Sequence, residues 1–552
     1  MTSRQYDLVR RKGDRGLARA GRLALRGLAV VWSLVPSRFS IVFCAVGLLL
    51  GTLIGAMVAI LPTELLSIPG VVIALVVALI PLTLPEMRRV PLRAARLLFF
   101  AFVAVELTLP IYLAVTAPGL PFISIIRILY AGMALTFIFC VAGSTEVRQR
   151  IKAAMAAEKP ICYALLALFI TFALCLPTSL TPVDSTKALV NDALNWWLPF
   201  FAAIFVLDSE ERQETFFRLF IYCAMFAVAL SCVEYIKQER LFLRLVPDSV
   251  LERDPIFSAA MAKQVFRDGR YRASAHFNVP LSFSEYCSLI FPIALYFTVY
   301  GRSFRDRLLG ACGIVTTLVG VLASNSRGGV VGIIAASSIF LVVYSFNAIF
   351  RKKGSLVGPV LVVLVPMALS VVPAMMAAFP RVHKMVLGGV EAQNSTDDRS
   401  LEWQMAWPRI ESRPITGYGL GNSGQIVGYV KSGGGFTVDS YPLTLITETG
   451  VLGLAAFYAL IAIVLWRCTM AYLRNPNPLS AKAYALVAAF VAFTIQRLAL
   501  SQTENFTNIF MLLGLFVALQ QQLRVAAPAK LAIEPERSLE PTDPSRPVGT
   551  VL

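Results

Sequence analysis

The sequence predicts an all-α integral membrane protein, a polytopic bundle of about 12–14 transmembrane helices, and three observations carry the prediction. Hydrophobic residues make up 57% of the 552 positions and charged residues 15%, a balance more apolar than soluble domains show. Apolar runs recur at or near the roughly 20 residues that cross a bilayer. Lys and Arg fall in every second connection between those runs, as they do on the cytoplasmic side of multi-pass proteins.

Residues 1–38 form a basic cytoplasmic arm, with Arg10, Arg11, Lys12, Arg15, Arg19, Arg22 and Arg26. No small-residue cleavage site ends it, so the first span is expected to stay in the chain. A transmembrane domain follows over 39–519. Its apolar runs lie at 39–62, 68–84, 97–117, 122–143, 161–176, 188–207 and 216–235, then 283–300, 308–323, 329–346 and 356–378, then 452–465, 483–500 and 506–519. Two long loops interrupt the series, at 236–282 and 379–441. Basic clusters around Arg88, Arg148, Arg302, Arg351 and Arg467 set the orientation, with both termini cytoplasmic and both long loops periplasmic. Pro528, Pro535, Pro541, Pro544 and Pro547 among charges predict a disordered tail over 520–552.

The net charge of +17 is largely that of the membrane anchors, so nucleic-acid binding is not inferred; the basic arm suits anionic lipid heads. Nine cysteines sit mostly inside apolar runs without paired or metal-ligand spacing and read as small core side chains. No metal or other cofactor is called for. Glu106, Arg127, Asp192 and Arg497 fall within spans, where charges face the bundle interior or one another.

Against this pattern, arginines stand in the segments that the charge rule puts outside. The first long loop has an amphipathic stretch near 243–266 and then Arg267, Arg270 and Arg272 just before the next span. A guanidinium there can fork onto phosphate oxygens; the alternative is snorkelling toward lipid phosphate. His276 nearby is a candidate base or a hydrogen-bonding loop residue. The sequence Ser324-Asn325-Ser326-Arg327-Gly328-Gly329 forms the whole connection between two spans. Its glycines let backbone approach a ligand, while Ser326 and Arg327 present donors at the mouth of the bundle. In the second long loop Trp403, Ala406 and Trp407 share a helical face, with Arg399 one turn earlier. Asp439 and Glu448 are the carboxylates able to take a proton from a hydroxyl; a helix cap and an ion pair are their alternatives.

The order of these features resembles the O-antigen ligase and O-antigen polymerase superfamily over about 188–519. The resemblance is carried by the Arg272 loop, Ser-Arg-Gly-Gly at 326–329, Arg399 with Trp403, the 414–421 turn and Glu-Thr-Gly at 448–450. It implies a GT-C-like membrane glycosyltransferase of the bacterial inner membrane, acting at the periplasmic face on undecaprenyl-pyrophosphate-linked oligosaccharide without nucleotide sugar or metal. By the same resemblance, Arg272 and Arg327 are expected to grip the pyrophosphate as catalytic residues; with them Asp439 is the expected acceptor base, and the residues themselves make Arg270, Ser326, Arg399, Trp403 and Glu448 the expected substrate contacts, with packing onto the bundle the alternative for Trp403. Ligases of this family carry His-Asn nine residues before Glu-Thr-Gly; this chain has Asp439-Ser440. That departure favours the polymerase or exopolysaccharide branch, with polysaccharide export or chain-length proteins as partners. Transfer to lipid A core remains the alternative, as does a lipid-linked oligosaccharide flippase or secondary transporter, whose substrate site would lie at mid-membrane.

Overall fold

The computed structural model describes residues 86–115, 123–247, 266–351, 390–430 and 436–533 apart from 88, 89, 268 and 475, with isolated positions at 356, 358–363, 367 and 378. The expected spans at 39–62 and 68–84, more than half of that at 356–378, and most of the amphipathic stretch before 266 lie outside the described residues. The chain divides into a small unit ending at Arg148 and a large one holding Leu107–Leu113 and everything from Gln149.

In the small unit, helix Leu92–Glu106 packs on helix Ile125–Gly143. Ser124 starts the second of these by accepting the Arg127 N–H at 3.3 Å, a normal N-cap. The expected span at 97–117 is corrected here, because the helix stops at Glu106. Pro110 supplies no N–H and pushes Leu109 out of the helical region, so the apolar run continues while the helix does not.

Among the described residues eight helices are long and apolar enough to cross a membrane, or nine if Thr145–Ala157 and Lys159–Leu174, bent by 95°, count as one span. Helices Pro280–Tyr300, Ala481–Arg497 and Phe506–Ile533 form the centre of the large unit. The first and third are buried over 83% of their apolar windows, so they face protein and not lipid. Ala481–Arg497 has only 17 residues, yet nearly every side chain from Ala481 to Phe493 is buried. Around this core pack Glu210–Lys237, Phe304–Ala323, Arg327–Arg351 and Tyr441–Arg474. At Gly310 a Cβ would lie 2.5 Å from the Thr298 backbone nitrogen, a close approach of the kind small residues permit between membrane helices. Pro182–Val206 passes through a π turn at Ala193–Trp197, where the Trp196 ring stacks on Phe506 and Phe510 at 4.8 and 5.1 Å.

Helix Tyr441–Arg474 is broken at Gly450, whose φ of 65° and ψ of −166° no other residue adopts readily. The Phe506–Ile533 helix runs past the expected end of its span. Ordered helix therefore replaces the beginning of the disordered tail expected from 520, and 534–552 lie outside the described residues.

One end of the large unit collects ion pairs. Arg218 meets Glu214 at 3.0 Å and Asp306 at 3.1 Å, Arg467 meets Glu158 at 2.7 Å, and Arg302 and Arg212 meet Glu210 and Asp208. The opposite end carries the loops that hold the expected site residues.

Candidate functional site

The first wall of the site joins the two arginine segments. Strands Phe266–Arg267 and Arg270–Tyr271 form a short hairpin turned at Gly269, leaving Arg270 exposed. Arg272, next in the chain, is only 6% exposed and donates from Nε to the Ser324 carbonyl at 3.1 Å. Ala273 N donates to Ala323 O at 3.0 Å, and Tyr271, Ala273 and Ala323 pack together. Asn325, in a left-handed turn with φ 44°, donates to Arg267 O at 3.3 Å. The loop and the tight turn are thus one structure. Ser326 is buried, its hydroxyl 2.9 Å from that of Ser284, which in turn lies 3.3 Å from Gln496 Oε1. Arg327 opens a 25-residue helix, where the first main-chain N–H groups have no helical acceptor and favour an anion.

Sequence reasoning missed what holds this wall in place. Glu234, buried in the last turns of helix Glu210–Lys237, accepts main-chain N–H groups from Ala275 at 2.9 Å and from Ser274 and Leu241 at 3.2 Å. A carboxylate sharing three such bonds is held more firmly than neutral acceptors would be. The short connection 498–505, also unremarked, ties both loops to the bundle. Glu504 accepts from Asn278 N at 2.9 Å and Asn505 donates to Ser282 O at 2.9 Å. Burial raises the Glu504 carboxyl above its usual value, against the bonds from Ser282 and Asn278. Below the connection, Arg497 and Glu285 form a fully buried pair, with Arg497 Nε 2.8 Å from Oε1 and Asn505 Nδ2 2.8 Å from Oε2.

His276 is not an exposed base. It is buried between Phe277 and Tyr286, with ring centroids 4.0 and 5.6 Å away, and desolvation pushes its pKa down to about 3. A neutral imidazole filling an aromatic pocket is the structural result.

The second wall comes from helix Val390–Ser412 and the return to the membrane at 436–441. Asp439 is half-buried, its N–H donates to the buried Glu402 Oε2 at 2.9 Å, and its Oδ1 accepts from Thr437 Oγ1 at 3.3 Å. Val438 O accepts from Ser501 Oγ, and Arg399 reaches Ala499 O at 3.5 Å. Val438, next to Asp439 in the chain, and Arg399 therefore meet the same 498–505 connection whose Glu504 holds Asn278. Trp403 packs against the apolar cluster of Ala406, Ile410, Val427, Val438 and Leu443, so the structure gives its ring to packing. The exposed Trp407 donates to Glu411 Oε1 at 2.7 Å.

Glu448 stands apart from these contacts and organises the glycine-rich turn. Its carboxylate accepts from Ser423 N at 3.2 Å, while Thr447 O and Glu448 O accept from Tyr418 N and Gly419 N at 2.9 Å each. Val451 N donates to Pro414 O at 2.8 Å, which the break at Gly450 makes possible. A Cβ at Gly450 would lie 2.2 Å from Ile415 O. The Glu-Thr-Gly motif is thus a socket for the 414–421 turn. The glycine spacing alone signals a turn; the missing clue was that its partner is a break inside a span. Among the described residues no three His, Cys, Asp or Glu side chains gather as metal ligands would.

Residues 312–458 match the family described as O-Antigen ligase. The match takes in the 324–329 turn, Arg399, Asp439 and the Gly450 break, and leaves Arg272 outside it. No curated protein matches the chain.

Proposed function

We propose that this multi-pass membrane protein, of the O-antigen ligase and polymerase superfamily by its matched region, transfers a glycan from undecaprenyl pyrophosphate to a sugar hydroxyl at the periplasmic face of the bacterial inner membrane. The observation that carries the reading is the joining of the Arg272 loop to the Ser-Arg-Gly-Gly turn, through Ala273 N to Ala323 O and Arg272 Nε to Ser324 O. Two arginine-bearing segments and a long helix N-terminus are brought together where a pyrophosphate would be held.

The chemistry is a single displacement. The acceptor oxygen bonds to C1 of the donor sugar as the C1–O bond to pyrophosphate breaks, with inversion at C1. The leaving pyrophosphate gathers negative charge, which Arg272 and Arg327 offset from fixed positions; such preorganised stabilisation is worth about 10²–10³ in rate for a single donor in other enzymes. Asp439 takes the acceptor proton, its backbone fixed by Glu402. Arg270 and Arg399 lie at the rims, suited to further phosphate or sugar contacts.

Polymerisation is favoured over ligation because Asp439-Ser440 stands where ligases of the family carry His-Asn. The test is reconstitution with an undecaprenyl-pyrophosphate oligosaccharide, scored for longer chains with wild type and with Arg272→Ala, Arg327→Ala and Asp439→Ala. Lengthening by both arginine variants at the wild-type rate would sink the mechanism. Transfer only to lipid A core would identify a ligase, and lipid translocation in sealed vesicles without chain growth a flippase.

A further inference from the structure

The turn that opens helix Arg327–Arg351 rests on a polar floor inside an otherwise apolar core. Ser284, Ser326 and Gln496 are all buried, Gln496 with only 4% of its surface exposed. They come from three elements that meet at this end of the bundle: helix Pro280–Tyr300, the turn before Arg327, and the last turn of helix Ala481–Arg497. The Ser284 hydroxyl lies 2.9 Å from Ser326 Oγ and 3.3 Å from Gln496 Oε1, while Gln496 Nε2 is buried with no hydrogen-bond partner among the described residues. An unmet buried donor costs free energy that an apolar side chain would not. A Cβ on Gly328 would stand 3.7 Å from Gln496 Oε1 and 3.8 Å from Ser326 Oγ, so the first turn of the helix leaves room beside both side chains.

The hydroxyl hydrogens decide what this floor presents. Ser284 has one hydrogen and three acceptors around it: Leu281 O at 2.9 Å, Ser326 Oγ and Gln496 Oε1. If that hydrogen goes to Gln496 Oε1, the Ser326 hydrogen turns inward onto Ser284, and Ser326 shows a lone pair to the helix start, which repels an anion. A half-turn of the Gln496 amide exchanges two ends of the same shape. Nε2 then donates to Ser284 Oγ, Ser284 donates to Ser326 Oγ, and the Ser326 hydrogen points outward. The same half-turn carries Oε1 to the side of the buried Ser288 hydroxyl, since a Cβ on Gly332 would lie 3.0 Å from Gln496 Nε2 and 3.2 Å from Ser288 Oγ. The row is then partnered throughout once an anion accepts from Ser326.

We propose that Gln496 is a positioning residue for glycosyl transfer, which acts through Ser284 to turn the Ser326 hydroxyl outward as a donor to the departing pyrophosphate. This role rests on the transfer reading above and adds to it a residue that touches no substrate. Hydrogen bonds in a row polarise one another, so the amide strengthens a donor two side chains away. Negative charge grows on the pyrophosphate as the C1–O bond breaks, so the contribution falls on the rate of that step more than on binding of the lipid.

The experiment is a double-mutant cycle on the reconstituted full chain, scored as lengthening of an undecaprenyl-pyrophosphate oligosaccharide. Ser326→Ala should lower kcat by roughly ten- to a hundredfold, the scale of one hydrogen bond to a charged group, with a smaller change in KM. Gln496→Met keeps the side-chain length without the amide and should lower kcat by about three- to tenfold, the scale of one neutral hydrogen bond. In the Ser326→Ala background the same change should cost nothing further, because no hydroxyl remains to be oriented. Ser284→Ala cuts the row in the middle and should match Gln496→Met in size and be equally silent in that background. Thermal unfolding midpoints report that each variant is folded. Equal losses from Gln496→Met in both backgrounds mark a purely structural side chain and overturn the proposal while leaving the transfer reading in place, as does a Gln496→Met protein that matches wild type. A wild type that lengthens no chains removes the transfer reading itself, and this role with it.

Discussion

Arg218, Arg302 and Arg467 at one end of the large unit each face a carboxylate, whereas at the other end Glu234, Glu402, Glu448 and Glu504 each accept a main-chain N–H from a loop. The same residue types do different work. At the first end the acids neutralise arginines that anchor helices, and at the second they fasten loops. Arg497 with Glu285 is a pair at the second end, but it lies beneath the loops and bonds to Asn505 within them. A carboxylate bonded to amide groups holds a loop without placing a cation there, and the arginines on those loops remain oriented by carbonyls such as Ser324 O. The difference teaches that a buried acid near an arginine site need be neither its counter-ion nor its base.

The strongest way to break the contrast is to remove charge from each end and compare. Arg327→Ala should lower the rate of chain lengthening by about 10²–10³, the scale of losing a preorganised donor to a developing anion. The chain-length assay checks it, and a smaller loss than that from Arg302→Ala would reverse the assignment of the ends. Next comes the pair beneath the loops. Glu285→Gln leaves the buried Arg497 uncompensated and should cost about 3–5 kcal/mol of stability, read from the shift in the thermal unfolding midpoint in detergent.

A pH series sharpens the comparison further. His276 has a folded pKa of about 3 against about 6.5 unfolded, so as pH falls through 6.5 the unfolded chain takes the proton and the folded one does not. Stability should therefore be full above pH 7 and decline by up to about 1.4 kcal/mol per pH unit below about 6. His276→Gln should flatten that part of the profile; an equal slope in the variant would remove the buried imidazole as its cause. Glu234→Gln should cost about 1–3 kcal/mol, because the three N–H groups are divided between the two carboxylate oxygens and the amide that replaces one of them presents a donor, leaving a main-chain N–H unmet. Hydrogen exchange at Ser274 and Ala275 should rise in that variant, and unchanged protection there would show that Glu234 does not fasten the loop. Smallest of all, Arg302→Ala should cost about 0.2–1 kcal/mol, as exposed ion pairs do, and leave transfer unchanged.

The helices were largely legible in the sequence because apolar runs and basic connections are long-range, redundant signals. The two arginine segments stood out in the sequence because they depart from the charge pattern of the other connections; that Arg272 and the 324–329 turn are one structure follows only from the fold. What was hidden are local choices inside apolar stretches. The expected span at 97–117 ends at Glu106 because of one proline, and Gly450 breaks a run of otherwise helical residues to receive the 414–421 turn. Nothing in the sequence singles out Glu234 near the end of its span, and only the fold reveals that it faces three amides. Trp403 shows the converse: its spacing marks a helical face correctly, but spacing cannot say whether that face meets sugar or protein.

The Glu234 carboxylate carries one more implication. It sits sixteen positions beyond Arg218 on one helix, and Arg218 is tied to Asp306 at the far end. Each inserted or deleted residue between them would swing the carboxylate by about 100° and shift it about 1.5 Å. The location of the arginine loop is thus metered across the membrane by helix length. Grafting that loop onto another scaffold should fail unless the helix beneath keeps the same count.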